Sequence, residues 1–103
     1  PNITADGTRI RISEASDYKY VALSRNLLKR WGGPFDYGDF ILIKGTTEGH
    51  KDGVYNVRDT MNPKYVNYVD ILESKHVQPY KYTDVHLYKM NWPTNLVSIN
   101  SNN

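Results

Sequence analysis

The chain of 103 residues carries 39% hydrophobic and 23% charged side chains, the size and composition of one folded domain with one core rather than of a disordered segment. Thirteen basic against eleven acidic residues leave a net charge of +2 with the signs interspersed, which gives little support for a nucleic-acid partner. There is no cysteine, which excludes a disulfide framework and a thiolate metal site, and no apolar run approaches the roughly 20 residues of a membrane-spanning helix.

Taken in chain order, Asp6-Gly7 is a turn signal followed by alternation through Ile10 and Ile12, which predicts a turn and then a strand. The stretch YVALSRNLLKRWGG predicts the one short α-helix, with Leu23, Leu27 and Trp31 spaced four apart, Ser24 as N-cap and Gly32-Gly33-Pro34 as the stop. YGDFILIKG is a compact apolar strand, and the polar TTEGHKDG after it is a loop. GVYNVRD predicts the next strand, with Tyr55, Val57 and Asp59 on one face and Val54, Asn56 and Arg58 on the other. Pro63 turns the chain within TMNPK, and YVNYVDILE returns as a strand carrying Asp70. DVHLYKM and NLVSI read as two further strands separated by Asn91-Trp92-Pro93, and the terminal NSNN as a frayed end. About six short strands and one small helix predict a single all-β domain over residues 1–103, with a small barrel as its architecture.

Two acidic residues, Asp59 and Asp70, sit within or beside apolar runs. A carboxyl among apolar neighbours either holds a proton near neutrality, and so can act as a general acid, or is satisfied locally. On the local pattern both readings stand: Asp59 folding back onto the amides of Thr60-Met61-Asn62 with Asp70 on an outward edge, or the two as an acid pair. Nine tyrosines against two phenylalanines suit either strands or partly wet grooves. Glu48, His50 and Asp52 read as a solvated turn rather than a metal site, and His76 and His86 have no ligand spacing, so no metal is expected. Ser24 lacks a nucleophile elbow. Lys29-Arg30-Trp31 and HVQPYKY mix basic and aromatic side chains; they read as a helix end, whose dipole favours cations, and an exposed linker, with anion binding as the alternative.

The order of ITADGT, YVALSRNLL, YGDFILIKG, GVYNVRDTMN and NYVDIL resembles the double-psi β-barrel domains of the three-aspartate and rare lipoprotein A type. The likeness spans residues 3–72, and its most specific part is Asp59-Thr60 with Asp70 eleven residues on. Ala22-Leu23-Ser24-Arg25-Asn26 lies where the family has its first aspartate, so that a hydroxyl or an amide takes the acidic position, and Met61-Asn62-Pro63 replaces the glycines that follow the second. The resemblance implies a six-stranded double-psi β-barrel with a glycan groove and relatives among lytic transglycosylases of peptidoglycan. In these one aspartic acid protonates the glycosidic oxygen while the sugar's 6-hydroxyl closes an anhydro ring. It implies Asp70 as that acid, Asp59 as its partner, and Tyr55, Tyr68, Thr60 and Asn62 as groove residues, with no metal or cofactor and peptidoglycan or another glycan as partner. It also implies a periplasmic, cell-envelope or secreted location. The start at Pro1 fits a removed targeting segment or a trimmed chain, and a monomer is the default expectation. The alternative is a non-catalytic glycan-binding or structural barrel of the cell envelope.

Overall fold

Short alternating stretches dominate this chain, and the computed structural model, which describes residues 2–90, joins them in one curled, five-stranded half-barrel sheet. Its strands are β1 (Tyr20–Leu23), β2 (Phe40–Lys44), β3 (Gly53–Thr60), β4 (Val69–Ile71) and β5 (His86–Lys89), in the order β4-β1-β3-β2-β5. β1 and β3 are parallel and every other pair is antiparallel, so β3 lies between two strands, β1 and β2, that oppose each other in direction. The strand expected over residues 95–99, the Asn91-Trp92-Pro93 break and the terminal asparagines lie outside the described residues.

Period-two alternation sets the inward face. Val21 and Leu23 of β1, Ile41 and Ile43 of β2, and Tyr55 and Val57 of β3 are buried together with Leu28 and Phe35. Each of these aliphatic side chains contributes roughly 1.5–3 kcal/mol by leaving water. Val69, Ile71, Val85 and Leu87 pack against this core from the two edge strands and the chain leading into β5.

Two local predictions are corrected. The stretch read as one α-helix splits: Tyr20–Leu23 is strand, and the remainder makes two three-residue 3-10 turns, Arg25–Leu27 and Lys29–Trp31, separated by an extended Leu28. The chain returning at Phe35 takes the backbone groups a helix would need, since the Phe35 N–H donates to the Leu27 carbonyl (3.0 Å) and the Lys29 N–H to the Phe35 carbonyl (2.6 Å). Gly33 permits that return, because a Cβ there would stand 2.2 Å from the Leu27 carbonyl carbon. Ser24 makes no side-chain cap to the turn that follows it. Near the N-terminus, the expected strand through Ile10 and Ile12 is a single bridge between Ile3 and Arg9, followed by a seven-residue 3-10 helix, Ile12–Tyr18.

The register of β1 on β3 contains the feature that positions the acidic residues. Val21 faces Val57 and Ala22 faces Asp59, leaving Arg58 unpaired as a bulge. The N-terminal turn holds this bulge: the Asp6 N–H donates to the Arg58 carbonyl (3.3 Å), and the Arg58 guanidinium bonds the Asp6 carboxylate (3.1 Å). Burial opposes ionisation of Asp6, but the hydroxyls of Thr4 and Thr8, the Thr8 N–H and Arg58 outweigh it and hold its pKa at about 2. One extra residue flips the strand. Asp59 therefore leaves the face shared by Tyr55 and Val57 and joins the face of Ala22.

Candidate functional site

Both edges of the curled sheet border one open groove of about 890 Å³. One wall is the loop that follows β3, with Asn62, Tyr65 and Tyr68; the other is the segment 80–85 that leads into β5, with Tyr80, Lys81 and Tyr82. All three residues of β4 line it, because an edge strand has no neighbour on its outer side.

Asp70 and Asp59 both line the groove. They are register partners of the same residue, Ala22, one on each side, so a small side chain separates them. Adjacent strands lie about 4.8 Å apart, which sets their Cα atoms about 10 Å from each other. Asp70 is exposed, and among the described residues its carboxyl accepts no hydrogen bond. Solvent reaches it along the groove, yet the surrounding protein still displaces enough water to raise its pKa, and the charges of Asp59 and then Glu73 raise it further. Asp59 is held differently: one carboxylate oxygen accepts the Ala5 N–H (2.8 Å) and the Thr60 N–H (2.9 Å). The two local readings thus divide between the residues, with Asp59 tied to the backbone and Asp70 open to the groove.

Of the other expected groove residues, Tyr68, Thr60 and Asn62 line it and Tyr55 does not. Tyr68 is 40% exposed, packs at 5.1 Å against the Tyr65 ring, and has the Lys81 ammonium 5.8 Å from its own ring centre. That cation comes from the opposite wall. The Thr60 hydroxyl pairs with the Tyr37 hydroxyl, and the Asn62 side chain accepts the Lys64 N–H (3.0 Å), closing the turn at Pro63. Tyr55 is a correction: it is 4% exposed, belongs to the core, and its hydroxyl donates to the Lys51 carbonyl (2.8 Å). Uninterrupted alternation puts Tyr55 with Asp59; the Arg58 bulge separates them.

The wall at 80–85 begins in the HVQPYKY stretch, which the sequence reads as an exposed linker with anion binding as the alternative. It is anchored by Glu73, whose carboxylate accepts the Tyr80 hydroxyl (2.5 Å), the Ser16 hydroxyl (2.9 Å) and the Lys51 ammonium (3.0 Å). Burial works against the Glu73 charge, but these three partners outweigh it and lower its pKa, while burial and Glu73 push the Tyr80 hydroxyl well up. Tyr80 therefore remains a neutral donor. His50 turns to the Tyr82 hydroxyl and Asp52 to the Thr46 hydroxyl and N–H, and among the described residues no three histidine or acidic side chains gather as metal ligands.

Ser24 is fully buried. Its N–H donates to the Tyr68 carbonyl, its hydroxyl accepts the Tyr68 N–H (both 3.0 Å) and that hydroxyl donates to Asn26 (2.8 Å). It fastens the groove wall instead of facing a ligand. Among the described residues no helix is long and apolar enough to cross a membrane. Comparisons with protein-family models, curated proteins and solved structures found no match to this chain.

Proposed function

We propose that the groove holds a glycan strand and that the protein cleaves peptidoglycan as a lytic transglycosylase-like enzyme, with Asp70 as its acid. The observation that carries this reading is an exposed carboxyl in a tyrosine-walled groove, without a hydrogen-bond partner among the described residues and with its pKa raised by burial, Asp59 and Glu73. Protonated Asp70 gives its proton to the glycosidic oxygen as the bond to the anomeric carbon breaks. The 6-hydroxyl of the same sugar bonds to that carbon, and its proton passes to the Asp70 carboxylate, which restores the acid. No water, metal or cofactor is consumed.

Asp59 repels the ionised form of Asp70 and so keeps the proton available. Tyr65 and Tyr68 offer flat apolar surface to sugar rings. The double-psi barrel belongs to the same proposal: it is supported by the placement of β3 between antiparallel β1 and β2, a psi-type arrangement, and by the curl that brings β4 and β5 to one groove. A peptidoglycan substrate carries with it a cell-envelope or secreted location.

A second reading, binding without cleavage, is favoured by Ser24, which supplies no carboxylate where the resembled family has one. Digestion of purified peptidoglycan by the native protein and by Asp70→Asn separates the two. Anhydro-muropeptides from the native protein alone, identified by mass, support cleavage by Asp70. Absence of products from both, together with co-sedimentation of the protein with the polymer, leaves the binding reading.

A further inference from the structure

Beyond the end of the groove stands a basic and aromatic surface that the proposed chemistry does not use. Arg25, Lys29 and Arg30 are exposed, and among the described residues none of them makes an ion pair. The guanidinium groups of Arg25 and Arg30 lie 4.9 Å and 5.2 Å from the ring centre of Trp31, a tryptophan that is 40% exposed. A helix end does not account for these cations: the turns are three residues each, too short to sum a dipole of consequence. Nor do the acidic residues that follow Phe35 neutralise them. Asp36 accepts the Tyr37 N–H (2.8 Å), and Asp39 pairs with Lys89 (3.4 Å) and accepts the Asp36 N–H (2.8 Å).

The surface is held firmly beside the groove. Asn26, in the turn that carries Arg25, donates to the Asn67 side chain (2.6 Å) and accepts the Asn67 N–H (3.0 Å), and Asn67 lines the groove next to Tyr68. The backbone bonds of Leu27 and Lys29 to Phe35 fix the second turn.

We infer that the Arg25, Arg30 and Trp31 surface binds an anionic substituent of the glycan strand that the groove holds. Guanidinium groups bind carboxylate, sulfate or phosphate through paired hydrogen bonds, and Trp31, over whose ring both guanidinium groups lie, holds the two together as one anion site. The groove itself argues against a nucleic acid. Asp59, Asp70 and Asp84 line it against Lys51, which pairs with Glu73, and Lys81, so it offers no run of cations to a chain charged at every residue, whereas a glycan charged at intervals seats its anion at Trp31 and its neutral rings between the tyrosines. This inference rests on the groove being a glycan site, and its test separates the two claims.

The test is fluorescence anisotropy with end-labelled oligosaccharides of equal length, namely a galacturonate oligomer, a sulfated dextran oligomer and a neutral chito-oligosaccharide, together with a single-stranded DNA oligomer. The native protein is expected to prefer at least one anionic glycan over the neutral one by about tenfold at low salt, with the preference fading as salt rises. Whichever anion is preferred identifies the substituent as carboxylate or sulfate-like. Arg25→Gln with Arg30→Gln is expected to abolish the preference while neutral binding persists, which also shows that the variant is folded. Trp31→Leu weakens the anionic glycan with its charges intact. Equal binding of neutral and anionic glycans, an unaltered preference in the double variant, or DNA bound as tightly as the anionic glycan overturns the inference. Absence of binding to every glycan overturns the groove reading with it.

Discussion

Asp59 and Asp70 flank Ala22 in a single row across β3, β1 and β4, one hydrogen-bonded to two backbone amides and the other open to the groove. The open carboxyl, Asp70, has its pKa raised by burial and by the charges of Asp59 and Glu73. A raised pKa in the folded state means that the native protein binds its proton more readily than the unfolded chain does. Stability attributable to Asp70 therefore falls as pH rises from the ordinary aspartate range through its raised value, and the penalty persists above it. Asp70→Asn is expected to raise the melting temperature at pH 7 by about 2–4 °C and to leave it unchanged at pH 3, measured by circular dichroism. Asp59→Asn is expected to lower the pKa of Asp70, followed by carboxyl-carbon NMR; an unchanged Asp70 titration would show that the two carboxyls do not interact.

Asp6 behaves with the opposite sign. Its pKa of about 2 means that it contributes stability above the unfolded value near 4, lost as pH falls toward 2. Asp6→Ala is expected to cost about 2 kcal/mol at pH 7 by chemical denaturation, with the difference from the native protein shrinking below pH 3. Because Asp6 holds Arg58 in the bulge, the amide resonances of Ala5 and Thr60 should shift as well.

Ser24 is a wall fastening, so removing its hydroxyl acts on the groove from beneath. Ser24→Ala leaves the Tyr68 N–H and the Asn26 side chain without this partner and is expected to cost about 2 kcal/mol. Ser24→Asp buries a charge against the Asn26 carbonyl oxygen and is expected to cost more than the alanine does. A thermal melt of both variants checks the order; greater stability of the aspartate form would refute the structural role.

Tyr55 and Tyr68 should respond oppositely. Tyr55→Phe removes one hydrogen bond from the core and is expected to lose about 1 kcal/mol of stability with no change in glycan affinity. Tyr68→Ala removes an exposed ring and is expected to leave stability within about 0.5 kcal/mol while weakening glycan binding several-fold, by titration calorimetry.

The strands β2 and β3 were legible because Phe40–Lys44 is a compact apolar run and Gly53–Thr60 carries valines and a tyrosine, each between polar or turn boundaries. The acidic residues were legible as candidates from their apolar surroundings alone. What misled the reading was non-local. Leu23, Leu27 and Trp31 have helical spacing, but Leu23 is completed by hydrogen bonding to strands more than thirty residues away, and tertiary pairing overrides a two-turn helix that is marginal by itself. Asp59 was assigned to the face of Tyr55 because a bulge leaves no mark in the pattern of one strand; it depends on the register with β1 and on Asp6, both distant in sequence. The place of HVQPYKY as a groove wall was not legible for the same reason, since Glu73, Lys51 and Ser16 anchor it from three separate places.

The pairing of β1 with both β3 and β4 also dictates when the domain can form during synthesis. β1 is made before both of its partners, residues 53–60 and 69–71, so Val21 and Leu23 stay exposed until those strands follow. Closing loops of that length before any neighbouring strand rewards them makes folding slow compared with a hairpin-built sheet of the same size. The nascent chain consequently carries an unpaired apolar strand until β3 and β4 are made, and that strand is where chaperones or misassembly would act first.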